Sequence, residues 1–235
     1  NKSKRPALII GNGIRMAAAT KEIRELIDLL KVPVMTSWNG VDLIEDNHPL
    51  FYGRPGSVGH RHSNFIQQNA DFVLTIGTRL NLLSTGYNYE SFLGKANHVM
   101  VEIDKYEMEK KSVHPCLKIN ADAKEFIKAL LNKKDKLNTS LRNDWINHCN
   151  ELKKKYPIFI KEQEPRKGYV STYNLVNEVS NQMTENDIYQ FASSGTSVDI
   201  AMKTFKIKKG QRAFLNKGLA AMGYDLPMSI GSCIA

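Results

Sequence analysis

The sequence contains no apolar run approaching the length of a membrane span, and no signal-peptide pattern appears at Asn1. A transmembrane or secreted protein is therefore not expected, and the expected compartment is the cytoplasm. Cysteine is sparse. Cys116, Cys149 and Cys233 are far apart and odd in number, with neither zinc-ligand spacing nor a Cys-x-x-Cys pair, which reads as buried or incidental thiols in a reducing compartment. Gly-x-Ser-x-Gly is missing, so no serine is marked as a hydrolase nucleophile. Acidic residues are in the minority, 24 against 33 Lys and Arg, for a net charge of +9. That balance raises a nucleic-acid partner. Yet the basic residues fall in short clusters such as Lys133-Lys134 and Lys153-Lys155, with acids between them and no interleaved aromatics. A solvated lysine-rich surface is expected instead, with no nucleic acid and no membrane as partner, and its positive field would favour a small anionic ligand.

What is present is a globular balance, 42% hydrophobic and 24% charged, enough to build a core over 235 residues as one large or two ordinary domains. Residues 6–13 read as a short buried strand closing on a glycine turn. A helix with Ile23, Leu26, Ile27 and Leu30 on one face follows, then strands at 33–38, 71–78, 98–104 and 116–120. Helices are expected at 63–70 and 123–131. Continuous apolar strands alternating with helices predict an α/β fold with a parallel sheet of at least five strands covered on both faces. Residues 132–167 change character. A charge run precedes a helix over 140–156 with Leu141, Trp145 and Leu152 inward, and the segment closes on Pro165 and Gly168. We place a linker at 133–167, a first domain at 1–132 and a second at 168–235. The second opens with a helix carrying Leu175, Val176, Val179 and Met183. A strand at 187–192, a helix through Met202 and a short strand at 211–215 follow. Residues 228–235 read as a buried helix opened by Tyr224-Asp-Leu-Pro227. The absence of an initiating Met and the apolar run ending at Ala235 suggest a piece of a longer polypeptide.

Several turns after strands could carry chemistry. Gly11-Asn12-Gly13 could face an anion with its amides, but it lacks the third glycine of the dinucleotide fingerprint and reads equally as a tight strand-to-helix turn. Gly77-Thr78-Arg79-Leu80-Asn81 offers a guanidinium for phosphate or stacking, or simply a surface arginine. Gly59-His60-Arg61-His62 has His-x-His spacing without a third ligand in view, which favours a ligand-facing loop over a metal. Ser193-Ser-Gly-Thr-Ser197 suits a diphosphate or an ordinary helix cap.

The stretch Gly218-Leu-Ala-Ala-Met-Gly-Tyr-Asp-Leu-Pro227 closely resembles the Gly-Leu-Gly-x-Met-Gly-x-x-Leu-Pro signature of thiamine-diphosphate enzymes of the acetolactate synthase and pyruvate oxidase type. Gly77-Thr-Arg-Leu-Asn81 and Val101-Glu-Ile-Asp104, in this order, extend the resemblance over nearly the whole chain. It implies a central Rossmann-like domain followed by the first part of a thiamine-diphosphate-binding α/β domain. In that second domain Gly195, Thr196 and Ser197 would lie against the diphosphate. The backbone around Ala220 and Met222 would hold the aminopyrimidine, and the Met222 side chain would support the bent cofactor. In flavin-containing relatives the central domain binds FAD, and the matching positions are Gly11, Asn12, Gly13, Thr36, Ser37, Gly59, His60, Gly77, Thr78, Arg79, Asn81, Glu102, Ile103, Asp122 and Ala123. FAD, ADP and an unliganded domain all stay open. The resemblance further implies a 2-oxo acid substrate, Mg²⁺, and a homodimer or homotetramer.

The sequence departs from the signature at Ala220, where the family usually has Gly. It also departs at Asn216-Lys217, where Ser-Gly is common, at Thr196-Ser197 in place of Gln-His, and at Asn81 in place of Asp. The native acceptor is left open by these departures. The magnesium motif and the activating glutamate are expected outside this stretch, so no catalytic or metal-binding residue is assigned within it and these residues alone are expected to be inert. A non-catalytic nucleotide- or flavin-binding module is the alternative.

Overall fold

The computed structural model describes residues 2–216 and 218–235; Asn1 and Lys217, the second residue of the Asn216-Lys217 departure, lie outside the described residues. The elements, in chain order, are β1 Pro6–Ile10, α1 Gly13–Met16, α2 Thr20–Leu30, β2 Val34–Thr36, α3 Arg61–Asn69, β3 Phe72–Ile76, α4 Leu82–Thr85, β4 Asn97–Glu102, α5 Lys105–Met108, β5 Leu117–Asn120, α6 Ala123–Leu131 and α7 Asn143–Lys155. These are followed by α8 Thr172–Gln182, β6 Tyr189–Gln190, α9 Gly195–Thr204, β7 Ala213–Phe214 and α10 Asp225–Ile234. Among the described residues no helix is long and apolar enough to cross a membrane.

The first five strands form one parallel sheet in the order β2-β1-β3-β4-β5, with Leu8 opposite Val34 on one side and Leu74 on the other. This is the α/β architecture that the continuous apolar runs predict. The period-2 alternation of β1 shows why the whole strand is apolar. Leu8 and Ile10 join Ile23, Leu26, Ile27 and Ile127 beneath α2 and α6, whereas Ala7 and Ile9 face Ile66, Trp145 and Cys149 of α3 and α7. The stripe on α2 is the expected one, and the Asp122 carboxylate caps α6 by accepting from the Lys124 and Glu125 amides at 2.8 and 3.2 Å. Helix α7, expected within the linker, lies against the first sheet. The Trp145 indole N–H donates to the Pro6 carbonyl at 2.9 Å. A second, two-stranded parallel sheet pairs Tyr189 with Ala213. Its cluster of Phe191, Val198, Met202, Phe205 and Ile207 extends to Trp38 and Val41 of the first half.

Several expectations change. Leu141 lies before α7, which starts at Asn143, and is 48% exposed rather than inward. Of the apolar residues expected on α8, Val176 and the following Met183 pack into the second cluster, whereas α9 covers only one side of the helix and leaves Leu175 and Val179 exposed. The C-terminal helix begins at Asp225 and includes Pro227 in its first turn, where a missing N–H costs no helical bond. It is not buried. Leu226, Ile230 and Ile234 face solvent because no described element packs over them.

Candidate functional site

The carboxyl ends of the sheet bring one group of expected residues together. Gly11, Gly13 and Gly77 meet backbone to backbone, with the Gly13 amide donating to the Gly77 carbonyl at 2.9 Å. A Cβ on Gly11 would come within 2.3 Å of that carbonyl oxygen, and one on Gly13 within 2.7 Å of the Gly77 Cα. The glycines are required by this contact between strand ends, whatever else binds nearby. Beside it lies a cleft of about 120 Å³, lined by Gly13, Gly77, Glu102, Ile103, Asp122 and Ala123 among others. Glu102 Oε1 accepts from the Ile103 amide at 2.9 Å, whereas Oε2 is buried without a partner. A carboxylate oxygen left in this state fits a hydroxyl donor such as a ribose. Thr36 Oγ1, at the end of β2, is a second buried oxygen without a partner, and Ser37 follows it, its amide donating to the Ile10 carbonyl at 2.9 Å.

The remaining expected residues lie away from this cleft or are otherwise engaged. Asn12 starts α1, with its carbonyl accepting from the Arg15 amide at 2.9 Å. Thr78 is buried beside Gly11. Arg79 is exposed and paired with Glu107. Burial opposes the Glu107 charge, but Lys110 and Arg79 outweigh it and hold the carboxyl below its usual pKa. Asn81 caps α4 by accepting from the Ser84 amide at 3.2 Å. Gly59 packs on its own loop, where a Cβ would meet the Arg54 carbonyl oxygen at 2.3 Å.

Both ring nitrogens of His60, expected in a ligand-facing loop, are taken by the protein itself. Its Nδ1 accepts from the Arg54 amide at 2.9 Å and its Nε2 donates to the Lys203 carbonyl at 2.8 Å. An amide can only donate and a carbonyl can only accept, so these partners define a neutral tautomer with no ring nitrogen left for a ligand. His62 stacks on His60 with centroids 5.1 Å apart and donates from Nδ1 to the Tyr156 carbonyl at 3.2 Å. Burial pushes the pKa of His60 well below its ordinary value and that of His62 down to about 4. Among the described residues no group of three or more His, Cys, Asp or Glu is placed to hold a metal ion.

A second group gathers at the start of α9. Gly195 adopts φ +67° in open space, and Gly195, Thr196 and Ser197 are exposed. Ser194 makes no side-chain bond to the helix, so the first-turn amides and the positive end of the helix dipole face outward, an arrangement suited to a diphosphate. The Ser193 hydroxyl donates to Asp225, which draws the 218–225 segment toward this turn. Ala220 holds φ +51°, a conformation that glycine adopts freely. This explains why a signature with Gly at that position describes the same turn. Met222 is 90% exposed and Leu219 86%.

No local pattern marks the residues that join the two halves. Asp42 is buried, accepts from Arg15 at 2.8 Å and from the Ala213 amide at 3.2 Å, and forms an ion pair with Arg212 at 3.0 Å. Arg54, 1% exposed, forms a two-pronged pair with Asp46 and donates to the Met202 carbonyl at 3.3 Å. Asp46 also accepts from the Ile207 amide at 2.9 Å. The partners of these acids in the second half lie 161 and 171 residues away, at the Ile207 and Ala213 amides, beyond the reach of any local pattern.

Comparison with known proteins adds identity to this geometry. Residues 1–130 match the family described as thiamine pyrophosphate enzyme, central domain. The acetolactate synthase large subunit of Cyanidium caldarium is 31% identical over 100% of the chain and 39% of that protein. The probable acetolactate synthase large subunit of Methanococcus aeolicus is 31% identical over 99% of the chain and 40% of its own length. The acetolactate synthase isozyme 1 large subunit of Escherichia coli (strain K12) is 28% identical over 100% and 40%. The chain thus spans about two-fifths of the length of these relatives.

Proposed function

The chain belongs to the thiamine pyrophosphate enzymes that share this central domain, and from that premise we propose that it serves an acetolactate synthase-like carboligase acting on a 2-oxo acid. The similarity to acetolactate synthase large subunits, continuous across the central domain and the α9–α10 region, carries this reading. Gly195, Thr196 and Ser197 would hold the diphosphate of thiamine diphosphate, and the main chain of Ala220 and Met222 would hold its aminopyrimidine. Bound there, the cofactor would supply the nucleophilic carbon and the electron sink that decarboxylation of a 2-oxo acid requires. The protein's own contribution is placement. The α9 dipole attracts the diphosphate, the Ser193–Asp225 bond keeps the two cofactor-holding segments side by side, and the exposed Met222 thioether is free to fill the space beneath a bent ligand. The described residues do not fit a magnesium site, and no step is assigned to that ion.

In the central domain the proposal is a nucleotide, FAD or ADP, with the unpaired Glu102 oxygen on a ribose hydroxyl. The cleft of about 120 Å³ holds a sugar-sized portion rather than a whole dinucleotide. A homodimer or homotetramer would cover the apolar residues of α10. The 235 residues by themselves are expected to give no turnover, because the α9–α10 face stands open to water. The test is thiamine-diphosphate-dependent conversion of pyruvate and related 2-oxo acids, measured on the 235-residue chain and on the full-length gene product. We expect product only from the longer protein. Turnover by the 235 residues above the cofactor-only background would refute the inactivity, and no cofactor-dependent product from the longer protein would refute the carboligase reading.

A further inference from the structure

The strongest unassigned feature is a crevice of about 460 Å³ between the two halves, which shares no lining residue with either of the two groups described above. It is lined by Lys153 of α7, Ser180 and Asn181 of α8, and Lys206, Lys208 and Lys209 of the loop before β7, with His60 and His62 at its wall. Four lysines therefore line one cavity. Among the described residues none of the four makes an ion pair. The carboxylate on the crevice wall, Asp46, is already committed to Arg54 and to the Ile207 amide.

Two of the lysines are held in place. Lys153 Nζ donates to the Phe51 carbonyl at 3.2 Å and stands 5.7 Å from the Tyr52 ring centroid, and Lys208 Nζ donates to the Ser180 carbonyl. The Ser180 hydroxyl accepts from the Lys206 amide at 2.9 Å and fixes the start of the loop. Burial lowers the Lys153 pKa, and the Asp46 charge opposes that shift only in part. A concave site lined by four lysines against one carboxylate, itself paired with Arg54, concentrates an anion.

We propose that this crevice binds a small multivalent anion, a phosphate ester or a polycarboxylate, which bridges α7 of the first half to the 206–209 loop of the second. A ligand that contacts both halves would bind the joined state and stabilise it.

The experiment uses the 235-residue chain with inorganic diphosphate and with citrate as separate probes, read by calorimetric titration and by melting temperature, against sodium chloride at matched ionic strength. We expect saturable binding and a rise in melting temperature beyond that of the salt. A stronger response to diphosphate assigns the phosphate class, and a stronger response to citrate the carboxylate class. Lys153→Gln with Lys208→Gln should weaken binding at least about tenfold, since each removes a charge-assisted contact. If that variant does not fold, Lys206→Gln with Lys209→Gln, which removes two ammonium groups that make no bond to the protein, carries the same expectation. Ser197→Asp repels a diphosphate at the start of α9 and should leave crevice binding unchanged. A response equal to that of sodium chloride overturns the proposal. So does binding lost in Ser197→Asp but kept in the lysine variants.

Discussion

Removing the Arg54 guanidinium should loosen the second half from the first before the first sheet is affected. The side chain is fully enclosed, with two donors on Asp46, one on the Met202 carbonyl, and its plane 5.2 Å from the Phe51 ring centroid. Breaking a buried pair on one side costs about 3–5 kcal/mol, because the remaining charge is stranded. Here Asp46 keeps the Ile207 amide and some access to water, so about 3 kcal/mol is expected for Arg54→Ala. Arg54→Met refills most of the volume without the charge and should recover only about 1 kcal/mol of that loss. Asp46→Asn still accepts from Ile207, so a double-mutant cycle of Arg54→Met with Asp46→Asn isolates the ionic term, expected at about 1.5 kcal/mol or more. Urea denaturation gives the energies, and hydrogen exchange at 202–213 gives the location, since amides there should lose protection before those of β1 and β3. A coupling below about 0.5 kcal/mol, or equal loss of protection in both sheets, would refute the reasoning.

Three further outcomes are expected. The folded pKa values of His60, His62 and His98 all lie below the ordinary value near 6.5, the last two at about 4, so the unfolded chain binds more protons. Their contribution to stability is complete above that value and is lost as pH falls toward 4. His62 and His98 should each account for about 2 kcal/mol between pH 7 and 5, and a urea midpoint that stays flat over this range would contradict it. Ala220→Gly relieves the positive φ at the expense of a looser unfolded chain, so stability should hold or rise by up to about 1 kcal/mol; a loss greater than that on thermal unfolding would mean the turn is not left-handed. Glu102→Gln should weaken ADP binding about tenfold while leaving the melting temperature nearly unchanged, because the oxygen it alters has no partner in the protein; calorimetric titration showing equal affinity would remove Glu102 from the nucleotide site.

Much of the first half was legible because its strands are buried on both faces. Continuous runs such as Pro6–Ile10 and Phe72–Ile76 announce a parallel sheet, and the α2 stripe announces the helix that covers it. The ends of those strands were legible as glycine turns, but their geometry was not: Gly11 and Gly13 are explained by contact with Gly77. The His-x-His spacing was visible, whereas the backbone groups that occupy His60 lie in the loop at Arg54 and on α9 at Lys203. Burial was misjudged where it depends on a neighbour. The α10 sequence is as apolar as a core helix, yet it touches the second sheet only near β6 and Leu226, Ile230 and Ile234 stay exposed. The resemblance carried by Gly218–Pro227 was specific because it combines backbone conformation, small residues and Met222, not periodicity alone.

The clasp between the halves also sets an order of events on the ribosome. Everything needed to complete the first sheet and both of its helical covers lies before residue 156, but Asp46 must wait for the Ile207 amide and Asp42 for Arg212. At roughly 10 residues per second the gap lasts about five seconds. During that interval the nascent chain presents a finished sheet with unclasped acids and uncovered Trp38 and Val41 at one end. A pause in translation within 156–213 would lengthen this exposure, and a binding protein that shields those apolar residues until the 202–213 segment emerges would protect the intermediate from aggregation.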